Sequence, residues 1–318
     1  MKKGLIISGG GAMGAYGAGT LAALNNDYDI VAGISTGALM SSLVALKEFK
    51  VLRQAYTSVV QDDIFDRKFL RPKTFKKNGE LNEMAILYVL MMRFFGRKET
   101  LNTLATTNQL RKTIDKFFTE EHFNLLKKLQ KEVIVGTVNI NAYPSKIEFF
   151  SSLTQSFEDF KDWVWCSANA PFVMSLHRKP WYDVEDQRWY IGEWTDGGLT
   201  ELAPFYKVLD SGCDEVDIIM HRERPKTFKQ RPFVKDFIHN VERTVDAMRY
   251  DIEFKDGDLI KKIDEYAEEK GIKVRVFWLP RKITNNSLMF DKRQMLEWYR
   301  EGFQTAKNVN RIEYLGKK

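Results

Sequence analysis

Leu5-Ile6-Ile7-Ser8-Gly9-Gly10-Gly11-Ala12-Met13-Gly14 and, shortly after it, Ile30-Val31-Ala32-Gly33-Ile34-Ser35-Thr36-Gly37 decide the fold of this chain. Each is a short apolar run, as a strand buried on both faces requires, breaking into a glycine-rich turn. A helix-like segment follows each turn. Ala15 to Asn25 carries Leu21 and Leu24 at helical spacing, and Thr36 to Lys47 is rich in the small residues that let a helix lie close on a sheet. Two strand–turn–helix units in succession predict parallel strands with helices on their faces, an α/β fold.

Working outward, Val51 to about Glu132 reads as mostly helical and more basic, with a cationic stretch from Arg67 to Gly79. Met84 to Phe95 is apolar nearly all round and too short to cross a bilayer. A buried core helix is the plainer reading. The other is a cap or interfacial element over a lipid site, flanked by Arg67, Lys68, Arg71, Arg93, Arg97 and Lys98. Beyond it, Glu132–Asn141, Lys146–Phe150, Tyr190–Trp194, Glu215–Met220 and Lys273–Leu279 read as strands. Phe157–Ser167, Pro204–Ser211, Phe233–Phe254, Leu259–Lys270 and Asp291–Ala306 read as helices. No repeat or low-complexity linker interrupts them. The simplest organisation is one domain over 1–318, with a helical insertion or cap at 51–131 and residues 223–318 completing the domain.

Composition narrows the class. With 44% hydrophobic residues in 318, the chain has the material for a sizeable core, which excludes disorder as the default. The formal charge of +6 comes from 49 basic and 43 acidic residues spread along the chain. Such a balance suits an anionic membrane surface or nucleic acid but singles out neither, and no nucleic-acid partner is expected. Cys166 and Cys213 have no metal-ligand spacing and fit a reducing compartment. No secretory signal opens the sequence, and no apolar run is long enough to span a membrane. The expectation is a cytoplasmic protein with at most peripheral membrane contact; oligomeric state is left open.

The chemistry centres on Ser35. Gly33-Ile34-Ser35-Thr36-Gly37 between a strand and a helix has the form of a nucleophile elbow, a sharp turn that presents a serine. Gly9, Gly10 and Gly11 offer backbone N–H donors for an oxyanion. Two other readings of that turn stand beside this one. Gly9, Gly11 and Gly14 have dinucleotide-turn spacing, but Asp29 opens the second strand where a ribose-binding acid should end it. A purely structural turn is the other; a Walker A loop fails for want of Gly-Lys-Ser/Thr. A serine also needs a base. His122, His177, His221 and His239 lie in no marking motif, whereas Asp196-Gly197-Gly198 after a strand-like run is a better lead. On composition alone, that tripeptide is at least as well read as a hairpin turn.

Taken together, these elements resemble the patatin-like phospholipase family. Its Gly-Gly-Gly-x-Arg/Lys-Gly loop, G-x-S-x-G elbow and Asp-Gly-Gly/Ala motif appear here in the same order, and Cys166-Ser167-Ala168-Asn169-Ala170-Pro171 echoes a fourth stretch. The resemblance runs from about Lys3 to Pro204. It implies a three-layer α/β/α fold with a mainly parallel sheet, and a Ser–Asp dyad in place of a triad. Ser35 is then the nucleophile, Asp196 the base, and Gly9 to Gly11 the oxyanion hole, with Gly14, Gly33, Gly37, Gly197 and Gly198 as supporting motif positions. The implied activity is hydrolysis of lipid or fatty-acyl esters, without metal or organic cofactor. Three departures stand out. Met13 replaces the family's basic residue, Cys166 and Asn169 replace alanines, and Leu202 and Ala203 replace frequent asparagines. Met13 is the main support for the alternative, a catalytically weakened binding or regulatory protein on the same fold.

Overall fold

The computed structural model describes the chain except for residues 67–75, 77–81, 95–105, 172, 184–185, 225–259, 285, 307, 309–311 and 317–318. Nine strands are described, β1 Lys3–Ile7, β2 Ile30–Gly33, β3 Glu132–Asn139, β4 Ile147–Ser151, β5 His177–Asp183, β6 Arg188–Asp196, β7 Glu215–Glu223, β8 Lys273–Leu279 and β9 Ile312–Gly316. The helices in chain order are α1 Gly14–Leu24, α2 Thr36–Ala45, α3 Phe49–Ser58, α4 Glu83–Phe94, α5 Asn108–Phe117, α6 Glu120–Lys128, α7 Phe157–Ser167, α8 Phe205–Leu209, residues 260–270 as α9, and α10 Lys292–Thr305.

One mixed sheet runs in the order β5-β6-β3-β2-β1-β7-β8-β9, with β4 also paired to β3. Its centre, β3-β2-β1-β7-β8, is parallel, and the antiparallel partners β4, β6 and β9 lie outside it. Helices cover both faces, so the architecture is α/β/α with mostly parallel strands. Alternation along the strands divides the core. Leu5, Ile7, Val31, Val133, Val135 and Ile219 pack with α1, α2, α7 and α10. Ile6, Ile30, Ala32, Ile218 and Met220 face the other way, onto α8 and α9.

The sequence reading and the structure differ in four places. Strands β5 and β9 went unread, because their exposed and half-buried residues lack a continuous apolar run. β6 starts at Arg188, before the expected Tyr190. Asp196-Gly197-Gly198 makes no hairpin; it ends β6 and opens a single 3-10 turn, Gly197–Leu199. The buried-core reading of Met84–Phe95 is corrected as well, since Met84, Leu87, Leu90 and Met91 of α4 are exposed and Ala85 is buried. A helix that is apolar nearly all round carries no stripe to mark which side chains meet solvent, so its composition alone does not fix their burial. The expected helix Phe233–Phe254 and the basic residues Arg67, Lys68, Arg71, Arg97 and Lys98 lie outside the described residues, as does the side chain of Arg93.

Candidate active site

Strand β3 organises the site. Val135 pairs with Gly33 of β2 and with Phe150 of β4, so β2 and β4 occupy opposite edges of β3. Thr137 pairs with Glu148 of β4 and with Asp196 of β6, which puts β6 on the edge that β2 has just left. The two strands therefore run head-on along one edge, their ends two residues apart in register. Ser35 follows one end and Asp196 forms the other.

At the end of β2 the chain turns sharply. Ser35 has φ 57 and ψ −124, a conformation costly for a residue with a side chain. It immediately precedes α2, whose positive N-terminal end faces the same turn. Close packing enforces this geometry: a Cβ on Gly33 would fall 2.4 Å from the Gly37 carbonyl, and one on Gly37 would fall 2.3 Å from Ile7 O. The Ser35 N–H donates to Ser167 Oγ at 3.0 Å, and that hydroxyl donates to Gly136 O at 2.7 Å. Behind the elbow, Tyr56 OH donates to Thr36 O at 2.9 Å and meets Thr36 Oγ1 at 2.7 Å. Burial raises the Tyr56 phenol well above its ordinary pKa, so it remains a donor.

The glycine turn after β1 lies beside the elbow, with the Cβ position of Gly9 3.2 Å from Ser35 Cβ. Gly9 N–H is engaged with Leu202 O at 3.1 Å, Ala12 N–H with Ser287 O at 2.8 Å, and Met13 N–H with Gly10 O at 3.1 Å. Gly10 and Gly11 N–H have no acceptor among the described residues. Gly14 opens α1 against Thr36 and Tyr56, and so joins the two turns.

A residue that the sequence did not mark holds this turn in place. His221, near the end of β7, is 1% exposed. Its Nδ1–H donates to Ser8 O at 2.8 Å and its backbone N–H donates to Ser8 Oγ at 2.8 Å. The His221 side chain fills space that others would otherwise need: a Cβ on Gly10 would fall 2.4 Å from its Cβ, and one on Gly17 would fall 2.1 Å from its Nε2. Burial lowers its pKa to about 4, so the imidazole is neutral near pH 7. No motif surrounds His221, and only the parallel pairing of β7 with β1 reveals its part.

Asp196 is 5% exposed, and its Oδ1 accepts from Gly198 N–H at 2.7 Å. Its own N–H donates to Asn169 O at 3.1 Å. Asn169 is fixed in turn, its amide donating to Trp165 O at 2.7 Å and its Oδ1 accepting from Thr107. The segment after α7 thus braces Ser35 through Ser167 and Asp196 through Asn169. Gly197 lies tight against Gly136 O, where a Cβ would come within 2.5 Å. Cys166 beside them is no rival nucleophile: burial, reinforced by the Asp196 charge, pushes its thiol pKa well up.

Ser35, Asp196, Gly9, Gly10, Gly11 and Gly198 all line one cavity of about 270 Å³. Most of its remaining wall is apolar and comes from α2, α3, α5 and the chain after α7, including Leu39, Leu43, Ile114, Phe117 and Met174. A hydroxyl and a carboxylate on the wall of one mostly apolar cavity suit an ester carrying a hydrocarbon chain.

The family model described as patatin-like phospholipase matches residues 5–209, from β1 to α8. No curated protein matches the chain. Among solved structures, VipD from Legionella pneumophila is similar at 13% identity and a TM-score of 0.45, over 99% of this chain and 68% of that one. With the family match spanning all four motif segments, the chain belongs to the patatin-like phospholipases, a family of lipid acyl hydrolases.

Proposed function

We propose that the protein hydrolyses carboxylic esters of lipids through an acyl-Ser35 intermediate. The observation that carries this reading is the head-on meeting of β2 and β6 on one edge of β3, which brings Ser35 and Asp196 into one cavity. Asp196 accepts the Ser35 proton as Oγ attacks the ester carbonyl. The resulting oxyanion is held by the N–H groups of Gly10 and Gly11, since Gly9 N–H is occupied by Leu202 O. Collapse of the tetrahedral intermediate expels the alcohol, which takes up the proton from Asp196. Water, deprotonated by Asp196, then attacks the acyl-serine; the released fatty acid leaves Ser35 with its proton restored.

The apolar cavity takes the acyl chain, consistent with a phospholipase A-type, lysophospholipase or esterase activity. Residues 1–318 act as a single domain in this reading, with 51–131 as a helical cap and the segment from 223 onward supplying sheet and helix around the site. No described helix is long and apolar enough to cross a membrane; contact with lipid is peripheral in this reading.

A fluorophosphonate probe tests the assignment together with turnover of a long-chain lipid ester. Wild-type protein labels at Ser35 and hydrolyses the ester. Folded Ser35→Ala does neither, and Asp196→Asn loses roughly 10²–10⁴-fold in kcat. Full turnover by folded Ser35→Ala would overturn the reading.

A further inference from the structure

The pairing of β1 with β7 stops being regular at Ser8, one residue before the glycine turn. Ile7 pairs with Ile219, and Ser8 N–H donates to Ile219 O at 3.0 Å. Bonds in a parallel ladder are evenly spaced. One rung further on, His221 N–H would therefore donate to Ser8 O, and Gly10 N–H would donate to His221 O. Neither bond forms. His221 N–H donates to Ser8 Oγ at 2.8 Å instead, and Gly10 N–H has no acceptor among the described residues. The Ser8 side chain has taken the place of its own carbonyl in the ladder.

The neighbouring bonds decide where the Ser8 hydroxyl proton goes. Ser8 O lies 2.8 Å from His221 Nδ1, and a carbonyl only accepts, so Nδ1 carries the hydrogen and cannot accept one. Ser8 Oγ, 3.5 Å from that nitrogen, donates to Gly9 O at 3.1 Å. The Gly9–Gly10 peptide is trans, so its C=O and N–H point in opposite directions. Ser8 is 2% exposed and is not among the residues lining the cavity, whereas Gly9 and Gly10 line it together with Ser35. Anchoring the carbonyl on this buried hydroxyl turns the Gly10 N–H away from the sheet. A hydrogen bond to the carbonyl also polarises the peptide and strengthens its N–H as a donor.

We propose that Ser8 is a positioning residue for the oxyanion hole: its hydroxyl interrupts the β1–β7 ladder and holds the Gly9–Gly10 peptide so that Gly10 N–H serves the reaction. Ser8 touches no substrate atom and acts only through that peptide. The role rests on the Ser35–Asp196 reading above, which fixes where the oxyanion forms. Without a hydroxyl at position 8, His221 N–H returns to the residue 8 carbonyl and Gly10 N–H to His221 O. The ladder then gains a rung and the site loses a donor.

Ser8→Ala and wild type are compared on a monomeric p-nitrophenyl ester and on a trifluoromethyl ketone with the same acyl chain. Ser35 Oγ adds to the ketone carbon, its proton passes to Asp196, and the ketone oxygen becomes an oxyanion in need of the same donors. The expected result is a fall of about 10–100-fold in kcat and a similar rise in Ki for the ketone, with KM unchanged within about twofold. Ki separates positioning from folding, because a partly unfolded preparation loses kcat while its folded fraction keeps the wild-type Ki. Ser8→Cys keeps a γ atom that donates only weakly, and it carries the same test if Ser8→Ala does not fold. Wild-type Ki in the folded variant, or a KM that rises as much as Ki, would overturn the positioning role. Wild-type protein that hydrolyses the ester without being inhibited by the ketone would overturn the Ser35–Asp196 reading, and this role with it.

Discussion

Ser35 N–H donates to Ser167 Oγ at 3.0 Å, so the residue proposed to attack the ester is held by a serine from another part of the chain. Ser167 is fully buried, and its own hydroxyl donates a hydrogen bond to Gly136 O on β3. The unfavourable backbone angles at Ser35 persist because such partners fix them. Ser167→Ala leaves a buried N–H and a buried carbonyl each short of a partner. A loss of about 1–3 kcal/mol in unfolding free energy is expected. The rate of fluorophosphonate labelling at Ser35 should also fall, with substrate KM little changed. Denaturant unfolding and labelling kinetics on the same preparation check both.

His221 gives the protein a defined acid sensitivity. Its folded pKa is lowered to about 4, against about 6.5 in an unfolded chain. As pH falls through that window, the unfolded chain takes up a proton that the folded one refuses. The contribution is fully present above about pH 6.5 and is lost towards pH 4. Between pH 7 and pH 5 this costs about 2 kcal/mol. His177, which burial also lowers to about 4, pulls in the same direction. His221→Gln should therefore flatten the stability–pH curve in part, measured as urea midpoints at pH 7 and pH 5. An unchanged curve would remove His221 as a source of the effect.

The peripheral membrane contact proposed for this enzyme has a candidate in α4. Met84, Leu87 and Met91 fall at helical spacing and are 61%, 48% and 49% exposed. Apolar side chains on one helical face lower the free energy of entering a lipid interface. Leu87→Ser together with Met91→Ser should reduce co-sedimentation with phosphatidylcholine vesicles severalfold. Hydrolysis of a monomeric short-chain ester, which needs no interface, should stay within about twofold of wild type. Equal sedimentation of both proteins would place the contact elsewhere.

What was readable in the sequence follows from how local each feature is. The elbow at Ser35 and the turn at Gly9–Gly11 are each contiguous motifs, legible from their own residues even though Gly10 and Gly11 are demanded by the distant His221 and Ser287. Asp196 required a resemblance, because its relation to Ser35 runs through β3 and only strand pairing makes the two neighbours. His221 had no signal at all: it reaches the site through the parallel pairing of β7 with β1, across more than two hundred residues of chain. β5 escaped detection for another reason. Its alternation places Arg178, Pro180 and Tyr182 towards solvent, and that dilutes the apolar pattern.

Away from the site, Asp217 tests how much of the stability lies in one buried ion pair. Its carboxylate is 4% exposed and accepts from Arg275 Nε and Nη2 at 2.7 and 2.8 Å, from Tyr28 OH at 2.6 Å and from Asn26 at 3.0 Å. Asp217→Ala leaves the half-buried guanidinium and the buried Tyr28 OH without their acceptor, a loss of about 1–3 kcal/mol. The expected outcome is a drop in the unfolding midpoint. At temperatures where the variant remains folded, Ser35 labelling should keep its wild-type rate. Slower labelling by the folded variant would show that this ion pair is coupled to the site.

Two glycines separate the role of close packing from that of general backbone freedom. Gly33 has no room: a Cβ there falls 2.4 Å from both C and O of Gly37 and 2.6 Å from Ser41 Oγ. Gly212 has a φ of +75 with no atom within 4 Å of its Cβ position. Gly33→Ala must push α2 away from the end of β2, moving Ser35 relative to Asp196, at a cost of about 1–3 kcal/mol for overpacking. Gly212→Ala meets only the backbone strain of a left-handed residue, about 1 kcal/mol. Their stability losses therefore overlap, but their effects on the serine differ. Gly33→Ala should abolish or severely slow labelling of Ser35, while Gly212→Ala should leave it at the wild-type rate. If both variants label normally, the strained turn is not what makes Ser35 reactive.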